Sequence, residues 1–214
     1  MNVILCLIWG YFIGTLNPAY IFGKLRGMDI RDGGSGNAGA TNATLLMGKG
    51  VGFLTAFLDI LKAFLACRMA LLFFPALESA GVIAGCGCIL GHIFPVWMGF
   101  AGGKGLACLG GMVLAYNWKL LFLILLGELI LVSIINYICL VAITGSAAFA
   151  AVYFLQTGEP IGTALLALVA VVIFIKHIPN LKRIADGSEL RIRYLWDKDG
   201  ETRRVQEKHP DLHL

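Results

Sequence analysis

Charge is what this chain most lacks. Only 14% of its 214 residues are charged, against about a quarter in an ordinary soluble domain, while 58% are hydrophobic and mean hydropathy is +0.82. That scarcity excludes a soluble globule, a disordered linker and a nucleic-acid binder. The six cysteines, at 6, 67, 86, 88, 108 and 139, all fall in apolar stretches, and none forms a C-x-x-C pair. A secreted scaffold stapled by cystines is thereby excluded, and buried free thiols are expected. No basic stretch precedes the first apolar run and no small-residue cleavage site follows it, so it reads as a retained helix rather than a signal peptide.

What is present is apolar sequence in seven segments, at 3–22, 51–74, 81–98, 105–116, 120–135, 138–154 and 162–175. In lipid every backbone polar group must be satisfied within the segment, which makes these helices. The expected fold is an all-α integral membrane protein, a seven-span helical bundle over residues 1–189 with glycine-rich loops on its cytoplasmic side. The fourth segment is too brief for a hydrocarbon core unless tilted, extended or shielded by protein. Lys24, Arg26, Arg31, Lys49, Lys104, Lys176, Lys182 and Arg183 fall on one side, whereas the opposite connections carry Glu78, Lys119 and Glu159. The positive-inside rule puts the basic side and the C-terminus in the cytoplasm and the N-terminus outside. Residues 190–214 form a charged cytoplasmic tail, in which LRIRYLW, the turn-like DKDG and ETRRV suggest a small hairpin.

Polar chemistry gathers in three places. The first loop reads GMDIRDGGSGNAGATNATLLMGKG over 27–50. Gly34 and Gly36 let backbone approach a ligand, and Ser35, Asn37, Thr41 and Asn42 offer hydroxyl and amide hydrogen bonds. Such a loop can cradle an anion with successive N–H groups, although a flexible connector explains its glycines equally well. It lacks the Walker spacing. The second loop, GFAGGKG at 99–105, sets Gly102, Gly103 and Lys104 ahead of a helix start, a combination that suits phosphate. A positive-inside lysine would account for Lys104 but leave the glycines unexplained. The third run, HIPNLKRIADGSE at 177–189, places His177 and Asn180 three residues apart.

Within the spans, Asp59 and Lys62 stand at i,i+3 and are expected to neutralise one another as a structural pair. His92 reads as a buried packing donor more readily than as a site residue. Glu128 has no partner in sequence, so it is protonated, paired across helices or facing a polar cavity. His92, His177 and Glu128 show no metal-ligand spacing, so no metal is expected.

The blocks DIRDGGSGNAGATN (29–42), LGHIFPVWMGFAGGKG (90–105) and KHIPNLKRIADGSE (176–189), with FLDILKAF, occur in the order and spacing of a known family. The chain resembles the bacterial acyl-phosphate:glycerol-3-phosphate acyltransferases of the PlsY type over residues 5 to 190. The resemblance implies seven spans and transfer of a fatty acyl group from acyl-phosphate to the 1-hydroxyl of glycerol 3-phosphate, giving lysophosphatidic acid at the bacterial cytoplasmic membrane. It implies Ser35, Lys104, His177 and Asn180 as catalytic residues, with Gly34, Gly36, Asn37, Thr41, Asn42, Gly102 and Gly103 around the substrates. Partners would be an acyl-phosphate donor, glycerol 3-phosphate or another small acceptor, and the lipid bilayer, with no cofactor and no nucleic acid. The chain departs from the family pattern at Leu45, Ala101 and Asn136, where basic residues are usual, and at Cys139, where serine is. A relative using another acceptor, or a non-catalytic lipid-binding, anion-binding or transport protein on the same bundle, are the competing readings.

Overall fold

A computed structural model of the chain describes residues 1–208, which are predominantly helical and contain no strand. Ten α-helices follow one another: α1 (Asn2–Gly14), α2 (Pro18–Leu25), α3 (Ala40–Met47), α4 (Lys49–Phe73), α5 (Ala80–Ile93), α6 (Leu106–Tyr116), α7 (Trp118–Ile135), α8 (Cys139–Thr157), α9 (Pro160–Asp186) and α10 (Lys198–Lys208). Each of the seven apolar segments contains helix, the first of them as two helices. Five stretches among the described residues, Asn2–Leu25, Ala80–Met98, Trp118–Ile135, Cys139–Thr157 and Pro160–Asp186, are long and apolar enough to cross a membrane.

The other two apolar helices are of a different kind. Helix α4 has 25 residues but carries Asp59 and Lys62, both buried. Helix α6 has 11, about 16 Å of rise against a core of roughly 30 Å. It is shielded rather than extended. Cys108, Leu109, Gly111, Met112, Val113 and Ala115 are buried, and a Cβ on Gly111 would meet the Ile60 carbonyl of α4 at 2.2 Å. The bundle is therefore an integral membrane fold whose seven segments do not all have the dimensions of a full span.

The tightest packing is between α1 and α5. Gly10 and Gly14 face the backbone of Ala84 and Cys88, and a Cβ there would lie 1.9 and 2.0 Å from the two carbonyl oxygens. Gly87 and Gly91 of α5 face the carbonyls of Leu7 and Tyr11 in return. Both helices thus carry G-x-x-x-G, which lets helix backbones approach where lipid gives no hydrophobic drive to association. All six cysteines are free and buried, as expected.

The first apolar segment is broken. Helix α1 ends before Thr15, and Asn17 caps α2 by accepting the Tyr20 N–H at 2.9 Å, with Pro18 at the first helical position. The break frees the Leu16 carbonyl, which accepts the Lys62 ammonium at 2.5 Å. Asparagine caps α7 as well, Asn117 accepting from the N–H groups of Lys119 and Leu120. The last apolar segment runs eleven residues past its expected end, to Asp186, with Pro179 accommodated inside the helix. His177 and Asn180 are thereby helical.

The expected hairpin in the tail does not form. Residues Ile192–Leu195 make a 3₁₀ turn and Lys198–Lys208 a helix, started by Asp197 accepting the Gly200 N–H at 3.0 Å. Turn chemistry at DKDG is equally good helix-start chemistry, and the acidic Asp199 and Glu201 fall in the first helical turn. The remaining tail residues, 209–214, including Asp211, lie outside the described part.

Candidate active site

Two loops and the end of α9, with the turn that follows it, meet at one end of the bundle. The first, between α2 and α3, is organised by Asn42, which is fully buried on α3. Its amide donates to the carbonyls of Ile30 (2.7 Å) and Gly33 (3.1 Å), while its oxygen accepts the Ser35 N–H at 2.8 Å. Gly34 and Gly36 have φ of +58° and +67°, and a Cβ on Gly34 would lie 2.2 Å from the Asn42 oxygen. The clamp and the glycines hold each other in place, and Ser35 is left exposed between them. Thr41, in the first turn of α3, is exposed, and Asn37 is half-buried.

Two contacts fasten this loop to its neighbours. Asn17 donates to the Ala38 carbonyl at 3.0 Å. Arg31 forks onto Asp29, at 2.9 and 2.8 Å, and donates to the Met98 carbonyl of the second loop at 2.7 Å. Hydrogen bonding to the Arg31 guanidinium holds the Asp29 carboxyl well below the usual carboxylate range.

The second loop follows α5. The N–H groups of Gly102 and Gly103 donate to the carbonyls of Ile93 and His92 at 3.1 and 3.0 Å, folding the chain back on the end of α5. Gly103 lies directly on the His92 ring: an added Cβ would sit 2.1 Å from Nε2 and 3.0 Å from the Ala38 carbonyl oxygen. His92 is fixed from beneath. Its Nδ1 lies 3.1 Å from Lys62 Nζ and 3.3 Å from Asp59 Oδ1, and Lys62 pairs with Asp59 at 2.7 Å. The pair expected within α4 is thus a buried triad supporting the lysine loop. Asp59, His92 and Cys108 are close enough to share an ion, but the Lys62 ammonium already occupies that charge position.

Lys104 then bridges to α9, donating to the Asn180 side-chain oxygen. Asn180 donates onward to Glu189 at 2.6 Å, and Arg183 closes on the other Glu189 oxygen at 2.7 Å. Burial and the neighbouring Arg183 push the Lys104 ammonium below its ordinary pKa, partly offset by Glu189. One turn back, His177 is buried with Nδ1 2.8 Å from the Ile173 carbonyl. A carbonyl can only accept, so Nδ1 carries the proton and Nε2 is left as the acceptor. Lys104 also stands just ahead of the first-turn N–H groups of α6, whose helix begins after Gly105 (φ +90°). Cation, unpaired helix N–H groups and glycine backbone are thus adjacent, the elements of a phosphate site.

The structure therefore joins Lys104 to Asn180, keeps Ser35 and Asn37 in the first loop, which meets the lysine loop through Ala38 against Gly103 and Arg31 on Met98, and gives Asn42 a backbone-clamping place. Glu189 was not among the expected site residues and Arg183 counted only towards topology, although both lie inside the quoted 176–189 block. Of the departures from the resemblance, Leu45 is half-buried on α3, Ala101 is exposed, Cys139 is buried at the start of α8, and Asn136 caps α7 with φ +65°. Glu128 is paired across helices, both oxygens lying within 2.9 Å of Thr144 Oγ1 on α8.

The family described as "Glycerol-3-phosphate acyltransferase" matches residues 4–187. The chain belongs to that family. Among curated relatives, the glycerol-3-phosphate acyltransferase of Mesorhizobium japonicum is 36% identical over 193 residues, covering 89% of this chain and 96% of the relative. That of Staphylococcus aureus strain bovine RF122 / ET3-1 is 34% identical over 208 residues, 91% of this chain and all of the relative. Two crystal structures of PlsY (YgiH), an integral membrane glycerol 3-phosphate acyltransferase, superpose well. The glycerol 3-phosphate form gives a TM-score of 0.80 at 31% identity, covering 91% of this chain and 98% of that one. The lysophosphatidic acid form gives 0.76 at 31% identity, covering 89% and 95%. As a member of the family the chain is a multi-pass membrane acyltransferase.

Proposed function

We propose that this acyltransferase moves a fatty acyl group from acyl-phosphate to the 1-hydroxyl of glycerol 3-phosphate, where the two loops meet the end of α9. The acceptor oxygen attacks the acyl carbonyl carbon, an ester C–O bond forms, and the bond from that carbon to the phosphate oxygen breaks. Lysophosphatidic acid and inorganic phosphate result, the hydroxyl proton passing to a base or to the departing phosphate. The observation that carries this reading is the bridge from Lys104 to Asn180, which fixes an ammonium among glycine backbone at a helix start.

In this reading Lys104 holds the donor phosphate and stabilises charge on the departing group. Gly102 and Gly103 let backbone close on that phosphate. His177 Nε2 accepts a hydrogen bond from the acceptor or its proton. Asn180 orients Lys104, Ser35 and Asn37 orient the acceptor with Gly34, Gly36 and Thr41 shaping the loop, and Asn42 is a positioning residue acting through Ser35. A groove of about 260 Å³ lies between the α1–α2 segment and α4, walled by Leu16, Ile21, Phe22, Leu58, Leu61 and Leu65 with Lys62 also in its lining, and its apolar wall suits an alkyl chain. The site faces the cytoplasm of the bacterial cell membrane, where the cations accumulate, with the N-terminus outside; no metal or cofactor is required. Residues 1–189 make the catalytic membrane domain.

Purified protein in lipid, given palmitoyl-phosphate, is expected to release phosphate only when glycerol 3-phosphate is present, with lysophosphatidic acid identified by mass. Phosphate release that ignores the acceptor, or a different acylated product, would overturn the proposal.

A further inference from the structure

The matched family stretch ends at residue 187, yet the chain beyond it folds back on the site. Gly187 (φ +85°) turns the chain at the end of α9, and the Glu189 N–H donates to the Arg183 carbonyl at 2.9 Å. From α10, the Arg204 guanidinium donates to the Gly187 carbonyl at 2.9 Å and to the Glu189 carbonyl at 2.7 Å. The same guanidinium pairs with Glu201 at 2.9 Å, and Glu201, 2% exposed, also accepts the Arg191 N–H at 3.3 Å. Val205 is fully buried beside it. The Ile192 N–H donates to the Asn136 carbonyl at 2.8 Å, fixing this segment to the α7–α8 turn as well.

These contacts converge on Glu189, whose side chain holds Asn180 and Arg183, and Asn180 holds Lys104. Forked guanidinium bonds to the carbonyls of Gly187 and Glu189 specify the shape of that turn in a way one loose contact does not. We propose that residues 187–208 form a clasp in which Arg204, backed by Glu201, is a positioning residue for Lys104, acting through Glu189 and Asn180. The charged C-terminal segment is then a working part of the site and not a detached tail. The inference rests on the functional reading above only for what Lys104 does.

Two readouts test it in the full-length protein in lipid: steady-state transfer from palmitoyl-phosphate to glycerol 3-phosphate across pH, and the pH midpoint of Lys104 labelling by an amine reagent, located by mass spectrometry. Lys104 is faced by Arg183, Lys176, His177 and Glu189 from α9 and the turn after it, and by Cys139 from α8. Of these only Glu189 is held by the clasp and favours the charged lysine. Arg204→Gln is expected to lower kcat about tenfold with KM changed less than about twofold, through misplacement of a group that acts in the transition state. It also moves the alkaline limb and the Lys104 midpoint to lower pH. Arg203→Gln removes an equal charge from an exposed face of α10 and leaves both readouts unchanged.

A folded Arg204→Gln with wild-type kcat and midpoint would overturn the proposal, as would lost activity with an unmoved midpoint. Should Arg204→Gln fail to fold, Arg204→Lys, which keeps a cation but not the fork, is read by the same two criteria. A wild-type protein that labels normally but transfers nothing would overturn the function proposed above, while the midpoint shift in Arg204→Gln still decides the clasp.

Discussion

Replacing Gly103 by alanine adds one methyl group where the structure has no room for it. The new Cβ would lie 2.1 Å from His92 Nε2, 2.7 Å from Cε1 and 3.0 Å from the Ala38 carbonyl oxygen. Ordinary contact needs more than an ångström beyond the first of these. The ring cannot yield cheaply, because Asp59 and Lys62 hold its far side in a buried triad. The glycine loop must therefore move, and it carries Lys104. Overpacking of this kind costs about 1–3 kcal/mol, and a displacement near 1 Å at a reacting group lowers turnover by about 10²-fold. Gly110→Ala on α6, where an added Cβ meets nothing within 4 Å, is the control and keeps full activity. Turnover with palmitoyl-phosphate and glycerol 3-phosphate, alongside thermal unfolding in the same lipid, reads both effects. A Gly103→Ala protein with wild-type kcat and unfolding temperature would refute the packing argument and the coupling of His92 to the lysine loop.

Further outcomes follow from the same geometry. Asp59→Ala leaves the Lys62 ammonium buried without its carboxylate and is expected to destabilise the fold by about 3–5 kcal/mol, seen as a lower unfolding temperature and poor expression; wild-type stability would contradict the triad. In the proposed mechanism Lys104 works as a cation with its pKa lowered by burial and Arg183, so activity is expected below that pKa and is lost as pH rises through it. The alkaline limb of kcat is expected below the usual lysine range, and a limb at or above pH 10.5 would contradict it. Leu45→Arg adds a cation near the acceptor loop and is expected to raise kcat/KM for glycerol 3-phosphate about fivefold or more. An unchanged or lower value would remove any role for charge at that position.

Much of the candidate site's layout was legible in the sequence because its polar groups are local. The GGSGN, GGKG and HIPN runs each concentrate polar atoms and backbone freedom within a few residues, and the asymmetry of Lys and Arg put all three at one end. The short fourth segment's length marked it as an exceptional span but left tilt, extension and shielding open, and only its packing against α4 decided for shielding. Long-range partners were not legible. Asn42 looked like a loop donor, yet its bonds run to Ile30, Gly33 and Ser35, a choice set by burial on α3. His92 was read as structural, and nothing in its neighbours revealed Gly103 resting on its ring. The break at Thr15–Asn17 had a signal in Asn17-Pro18 that hydropathy averaged away. The two G-x-x-x-G pairs of α1 and α5 stood in the sequence, but their meeting is a tertiary fact. The tail's charge alternation fitted hairpin and helix alike, and only docking against Gly187 and Glu189 decided between them.

The central claim is that Lys104, held by Asn180, carries acyl transfer. The most direct measurement compares wild type with Lys104→Ala, both shown to be folded in lipid, for lysophosphatidic acid formed from palmitoyl-phosphate and glycerol 3-phosphate. The account predicts acceptor-dependent product from the wild type and a loss of at least about 10²-fold in the variant. Wild-type turnover by folded Lys104→Ala would contradict it.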